Sequence, residues 1–218
     1  MLKMVFAVAS ACLLAGCSSG PATSSTKVNI AKVTDLKSSF GSDFNVTSIG
    51  ERAIDPKLLS ARKLPDGLTF DPADCAKLAV GPAMPPDMQG NMAAVSAEGH
   101  GNRFIVIAVE TSKPFPLNDP GQGCTKVSFS GAQVRGGIEV IDAPHIEEAR
   151  TLAVRRVLQT VVAGTPRTGE LYDYTAAFGD YQVIVIANPL VVPGQPVVPV
   201  DTQRARDLLV KAVSTIRT

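Results

Sequence analysis

The sequence predicts an α+β domain: a mostly antiparallel sheet, a short helix in the N-terminal half, and a C-terminal helix packed on one face. Three observations carry that expectation. Residues 92–97 and 104–109 are β-rich runs around a Gly-rich turn, and residues 171–177 and 181–187 repeat the arrangement around Phe178-Gly179-Asp180. Both read as hairpins. After Asp201-Thr202, apolar residues recur at helical spacing up to Ile216.

The 218-residue chain opens on a short export signal. Lys3 supplies its positive end, and Met4 through Ala15 form an apolar stretch too short for a stable membrane span. Leu14-Ala15-Gly16-Cys17 closes it and resembles the lipobox of bacterial lipoproteins. That resemblance implies that the Cys17 thiol is diacylated and that cleavage leaves it as the first mature residue. The expected organisation is a signal at 1–16, a lipidated Cys17 with its tether at 17–42, and one α+β domain at 43–218. Ser18 through Thr26 are small and polar, as a flexible tether requires. Lys27 to Ser42 is weakly patterned. It reads either as more tether or as a first amphipathic turn, with Ile30, Val33 and Leu36 at near-helical spacing.

From the expected domain start near Asp43, Phe44 to Ile49 alternates apolar and polar residues, the period of a half-buried strand. Asp71-Pro72-Ala73-Asp74-Cys75 reads as a helix start, with Asp71 as N-cap, running through Leu78 and ending before Gly81-Pro82. A Pro- and Met-rich loop follows to Gly90. The run Phe104 to Val109 is apolar at nearly every position, so it is expected to be a central strand. Lys113 to Gly123, with three prolines, is a loop; Lys126 to Ser130 and Gln133 to Ile141 are two further strands. Glu147 to Val162 fits two templates: Ala149, Ala153, Val157 and Val161 fit a helix face, whereas Leu152 to Leu158 also fits a strand. Pro189 to Val200 carries four prolines and cannot be a paired central strand. Asp201-Thr202 then caps a helix with Ala205, Leu208, Leu209, Ala212, Val213 and Ile216 as its apolar stripe.

Composition excludes several functions. The chain has 21 basic and 20 acidic residues, and removal of Lys3 with the signal brings them level. A neutral balance gives no long-range pull on nucleic acid. With no tryptophan and three tyrosines, the aromatic platforms of sugar- and single-strand-binding surfaces are scarce. Cys12 leaves with the signal and Cys17 is the anchor. Cys75 and Cys124 remain, and in an oxidising compartment one disulfide between them is the default.

The catalytic inventory is thin. His100 sits in the turn Gly99-His100-Gly101, and His145 precedes Glu147 and Glu148. A histidine near carboxylates can bind a metal or act as a base, but it is more often part of a hydrated turn. No Cys/His metal spacing is present. No cofactor, metal or catalytic residue is therefore expected. Gly99-His100-Gly101 and Gly121-Gln122-Gly123 lack the strand-to-helix setting of phosphate cradles and read as turns. If Leu152 to Leu158 is a strand, Arg155 and Arg156 point to opposite faces. A buried member would then need an ion-pair partner or an anionic ligand. Leu190 to Pro199 is an extended valine- and proline-rich segment that either docks a partner or covers the sheet.

The lipobox, Asp71-Pro72-Ala73-Asp74-Cys75, Tyr174 to Val183, Ala187-Asn188-Pro189 and Arg204 to Leu209 together resemble a family of mycobacterial lipoproteins whose shared domain has no assigned function. More distantly, the Asp-Pro-x-x-Cys segment and the strand-rich remainder are similar to the extracellular sensor domains of mycobacterial receptor-type serine/threonine kinases. That likeness implies a strand at Leu152 to Leu158. The second disulfide of those domains has no counterpart here, so no binding residue carries over. The expected protein is anchored to the cell membrane by acyl groups on Cys17, on its extracytoplasmic face. Its domain binds an envelope protein or a small-molecule or lipid ligand, and no nucleic acid, without catalysis. The alternatives are an envelope hydrolase using a serine with His100 or His145, and an accessory subunit of an envelope complex.

Overall fold

The computed structural model describes residues 28–54, 64–81, 87–114, 117, 120–121, 123–162 and 164–218. Cys17, the signal and residues 17–27 of the expected tether lie outside the described residues. So do most of the loop expected between Pro82 and Gly90 and parts of that between Lys113 and Gly123.

The described residues form a nine-stranded antiparallel sheet, as part of an α+β fold. Its strands are β1 (Asn45–Ala53), β2 (Thr69–Asp71), β3 (Gly90–Gly99), β4 (Asn102–Thr111), β5 (Lys126–Ser130), β6 (Val134–Ile141), β7 (Arg150–Val162), β8 (Thr165–Phe178) and β9 (Tyr181–Pro189). They lie in the order β1-β3-β4-β9-β8-β7-β6-β5-β2. The apolar run expected to be central is β4, between β3 and β9. The stretch that fits both helix and strand is β7. Its neighbours Ala153 and Val154 are both buried, in cores on opposite faces of the sheet. A strand buries consecutive residues on two sides, whereas a surface helix buries one stripe.

One core lies between the sheet and two helices. Val95, Val106, Val185, Tyr174 and Ala153 pair in a row across five strands, and all are buried. The C-terminal helix (Thr202–Ile216) lies over them, with the six buried residues that its sequence stripe predicts. Beside it lies an N-terminal helix, Ile30–Ser39, wound with three residues per turn. In that winding residues three apart eclipse one another, so Ile30, Val33 and Leu36 form a single row, all three buried in the core. The folded body therefore includes residues 30–39, well before the start near Asp43 that was expected. The Asn29 N–H donates to the carbonyl of Ile216 at 2.8 Å, joining the two ends of the body.

On the other face a smaller core gathers Val127, Phe129, Ile138 and Val154 under a short helix, Ala76–Val80. Asp71 is not its N-cap. It ends β2, paired with Ser128, and a cis peptide bond joins it to Pro72. A helical turn at Ala73–Cys75 then leads into the short helix, and Gly81 at φ +75° ends it. Cys75 and Cys124 form a disulfide with Cα atoms 5.3 Å apart, holding this helical segment to the loop before β5.

Candidate functional site

The first two-thirds of the C-terminal helix and the end of the N-terminal helix wall an open groove of about 370 Å³. Asp201, Arg204, Leu208 and Lys211 recur at the spacing of one helix face, Gln203 and Asp207 flank them, and Ser39 faces them from the other helix. The lining residues are polar except for Leu208, and their aliphatic stems make up more of the groove surface than their polar heads.

Asp201, Arg204 and Asp207 in the groove are braced. The Asp201 carboxylate accepts the Arg204 backbone N–H at 2.9 Å and lies 3.6 Å from the Arg204 Nε. The Arg204 guanidinium also stacks over the Phe44 ring, 5.0 Å from its centroid. Gln203 donates to Asp207 Oδ1 at 2.8 Å. These contacts hold side chains that would otherwise sample many rotamers, which is the preorganisation a binding site needs.

At the N-terminal end of the C-terminal helix, three segments converge on Gly99-His100-Gly101. This is a turn, as expected, and its glycines are needed for contact. A Cβ on Gly99 would lie 2.7 Å from the Asp43 carbonyl oxygen and from the Phe44 ring. A Cβ on Gly101, at φ +74°, would lie 2.6 Å from Val198. Asn102, buried, donates to the Pro199 carbonyl at 3.2 Å and accepts the Asp201 N–H at 2.7 Å.

His100 itself is exposed. Its Nε2 lies 3.6 Å from Asp43 Oδ2, and its ring is 5.0 Å from Phe44. Ser42 donates to the other oxygen of Asp43 at 3.4 Å. Serine, carboxylate and imidazole thus meet, but with the carboxylate in the middle. A serine nucleophile is activated when the imidazole touches the hydroxyl and the carboxylate orients the imidazole from behind. Here the histidine cannot take the serine proton directly. His145 is also exposed and lies on the opposite flank of the C-terminal helix. Its segment is held there by Arg206, whose Nη1 donates to the Asp142 carbonyl at 2.7 Å, and by Arg217, whose Nη1 donates to the Glu147 carbonyl at 2.9 Å. The two histidines share no site.

Arg155 and Arg156 point to opposite faces of the sheet, as a strand requires. Arg155 pairs with Glu170, which also accepts the Tyr172 hydroxyl at 2.8 Å. The hydrogen bond from Arg155 to Glu170 raises the Arg155 pKa above its ordinary value. Burial pushes the Glu170 carboxyl upward, but the hydrogen bonds from Arg155 and Tyr172 and the Arg155 charge outweigh it. The net pKa lies below the ordinary carboxylate range. Arg156 is mostly buried, and desolvation lowers its pKa. Its Nη1 donates to the Ala79 carbonyl at 3.5 Å, near the C-terminal end of the short helix, where a cation is favoured. These arginines are structural.

The valine- and proline-rich segment covers neither the sheet nor the last helix along most of its length. Val191, Val192, Val197 and Val198 are 61, 46, 54 and 44% exposed. A turn closes it, with Gly194 at φ +78° and the Gln195 N–H donating to the Val192 carbonyl at 3.1 Å.

A family model described as a domain of unknown function, DUF5642, matches residues 29–217. Among solved structures, an uncharacterized protein of Mycobacterium smegmatis, an Rv0999 ortholog, is 56% identical with a TM-score of 0.83. That match covers 88% of this chain and 98% of the other. The extracellular domain of PknH from Mycobacterium tuberculosis is 11% identical with a TM-score of 0.32, over 87% of this chain and 93% of the other. No curated protein matches the chain.

Proposed function

This chain belongs to the DUF5642 family, and from that premise we propose that it is a lipid-anchored protein of the cell envelope with a binding domain that catalyses no reaction. Acyl groups on Cys17 would hold it to the extracytoplasmic face of the cell membrane. The observation that carries the binding reading is the braced groove along the C-terminal helix. Its volume lies in the range of small-molecule sites, and Arg204 and Asp207 in its walls are held by Asp201, Phe44 and Gln203. The order of Ser42, Asp43 and His100 argues against a serine hydrolase. A second reading, an accessory subunit of an envelope complex, is favoured by the four exposed valines between Val191 and Val198.

The test is retention of a cell-envelope component by the full-length chain carrying Cys17→Ala. A component bound by this protein and lost on Arg204→Ala supports the groove reading. Its loss on Val192→Ser with Val197→Ser instead supports the subunit reading. Hydrolytic turnover that disappears when His100 and His145 are both replaced would overturn the non-catalytic reading. In cells, Cys17→Ala is expected to leave the protein unacylated and off the membrane; undiminished membrane association would sink the lipid-anchor assignment.

A further inference from the structure

We propose that the loop at residues 190–200 is a docking knob for a partner protein, which receives it in an uncharged groove lined by aromatic side chains; this rests on the subunit reading above. The loop includes no charged and no aromatic residue. Val191 and Val192 stand on one arm, Val197 and Val198 on the other, and the turn at Gly194 joins the two. These are four of the seven large apolar side chains exposed among the described residues. A fifth, Val161, lies at the tip of the β7–β8 hairpin, which runs on past Pro189 at the same end of the sheet. Single exposed valines are ordinary, whereas a cluster at one end marks an interaction site.

The loop is stiff. Pro193, Pro196 and Pro199 fix their own φ and keep Val192, Gln195 and Val198 out of the helical region. Both ends are pinned beside the β3–β4 turn. The Leu190 N–H donates to the Gly101 carbonyl at 2.8 Å, and the Pro199 carbonyl accepts from Asn102. Little conformational entropy is left to lose when a partner closes on it. The same prolines decide the mode of recognition. They lack N–H groups, so the loop cannot extend a partner's sheet as a new strand. A ridge of prolines and valines fits between aromatic rings instead, where indole N–H or tyrosine O–H groups donate to its carbonyls.

Position and composition both argue against a lipid surface as the occupant. The chain before residue 28 joins the body where Asn29 meets Ile216, at the last turn of the C-terminal helix. The loop leads into the first turn of that helix, about 22 Å away for its 15 residues. A tether attached at one end therefore presents the loop at the other. Nor does the loop hold a lysine, arginine, tryptophan or tyrosine, the residues that seat a segment among lipid headgroups.

The experiment places the photo-crosslinking residue benzoylphenylalanine at Val192 or Val197 of the full-length chain, in the cells that make it. Val80 and Val210 are the control positions: at 54 and 43% exposed they match Val197 and Val192 at 54 and 46%. The expected result is one protein crosslinked from both loop positions and from neither control, at residues that mass spectrometry places beside tryptophan, tyrosine or phenylalanine. With that protein purified and titrated, Val192→Ser with Val197→Ser should weaken binding tenfold or more. The thermal midpoint should not move, because both side chains already stand in water. A partner touched away from any aromatic groove overturns this assignment and leaves the subunit reading standing. Crosslinks to lipid or to a second copy overturn it as well, as does binding undiminished by the double variant. No crosslink above the controls overturns both readings.

Discussion

Asn102 and Asp201 lie 99 residues apart in sequence and are joined by a 2.7 Å hydrogen bond, from the Asp201 backbone N–H to the Asn102 side-chain oxygen. The other end of the same amide donates to Pro199, so one buried side chain holds the backbone on both sides of Val200. Asp201 in turn caps the C-terminal helix. The first residue of β4 thereby fixes where that helix begins, and with it the wall of the groove.

Replacing Asn102 by alanine strands a backbone donor and an acceptor in a buried place. The expected cost is about 1–3 kcal/mol, read as a lower denaturation midpoint at unchanged slope. Arg204 and Asp207 would also lose their fixed setting, so binding should weaken together with stability. Stability equal to that of the unaltered protein would show that the amide holds nothing in place.

The N-terminal helix belongs to the core, and its removal should be felt there. Leu36→Ala is expected to cost about 2–5 kcal/mol, the range for truncating a buried leucine. A chain shortened to begin at Asp43 would expose the apolar surface that Ile30, Val33 and Leu36 cover, and should aggregate or melt well below the full body. Equal melting of the two chains would overturn this account.

The disulfide closes a loop of 49 residues. Loop-closure entropy for that length amounts to about 4 kcal/mol. Replacing Cys75 and Cys124 together by alanine should lower stability by about that amount, measured by urea unfolding. The loss should be matched when the unaltered protein is unfolded under reducing conditions.

Glu170 supplies a pH signature. Its folded pKa lies below the ordinary carboxylate value of about 4.3. Its contribution to stability is therefore full above that value and is lost as pH falls through the lower folded one. Glu170 and Arg155 are partly exposed, so the effect should stay under about 1 kcal/mol. Glu170→Gln should reduce stability slightly at neutral pH and flatten part of the acid limb. An acid limb identical in the two proteins would show that Glu170 carries none of that dependence.

Periodicity exposed most of the fold. The two hairpins, β5, β6 and the six buried residues of the C-terminal helix follow from local pattern, because each element buries a face its own sequence encodes. The N-terminal helix was legible only in part. Ile30, Val33 and Leu36 are spaced by three, which distinguishes a 3₁₀ row from a tether only once a partner surface is known. Asp71 misled because Asp-Pro satisfies the chemistry of a helix start and of a strand end alike. The groove had no local signature at all. Ser39 lies in a segment that reads as linker, and Arg204 and Lys211 read as ordinary solvent-facing charges. What makes them a site is the packing of one helix against another from the far end of the chain.

That packing also sets an order of events for the newborn polypeptide. The bond from Asn29 to Ile216 and the shared apolar layer beneath it unite the first-made and last-made parts of the body. A chain emerging from its N-terminus can pair β3 with β4, or β7 with β8, as soon as each hairpin is complete. Its opening helix can already lie against β1, β3 and β4, but the layer stays open on one side until the closing helix arrives. Contacts of such long sequence separation form late. The closing helix therefore completes a layer that the opening helix and the sheet have begun.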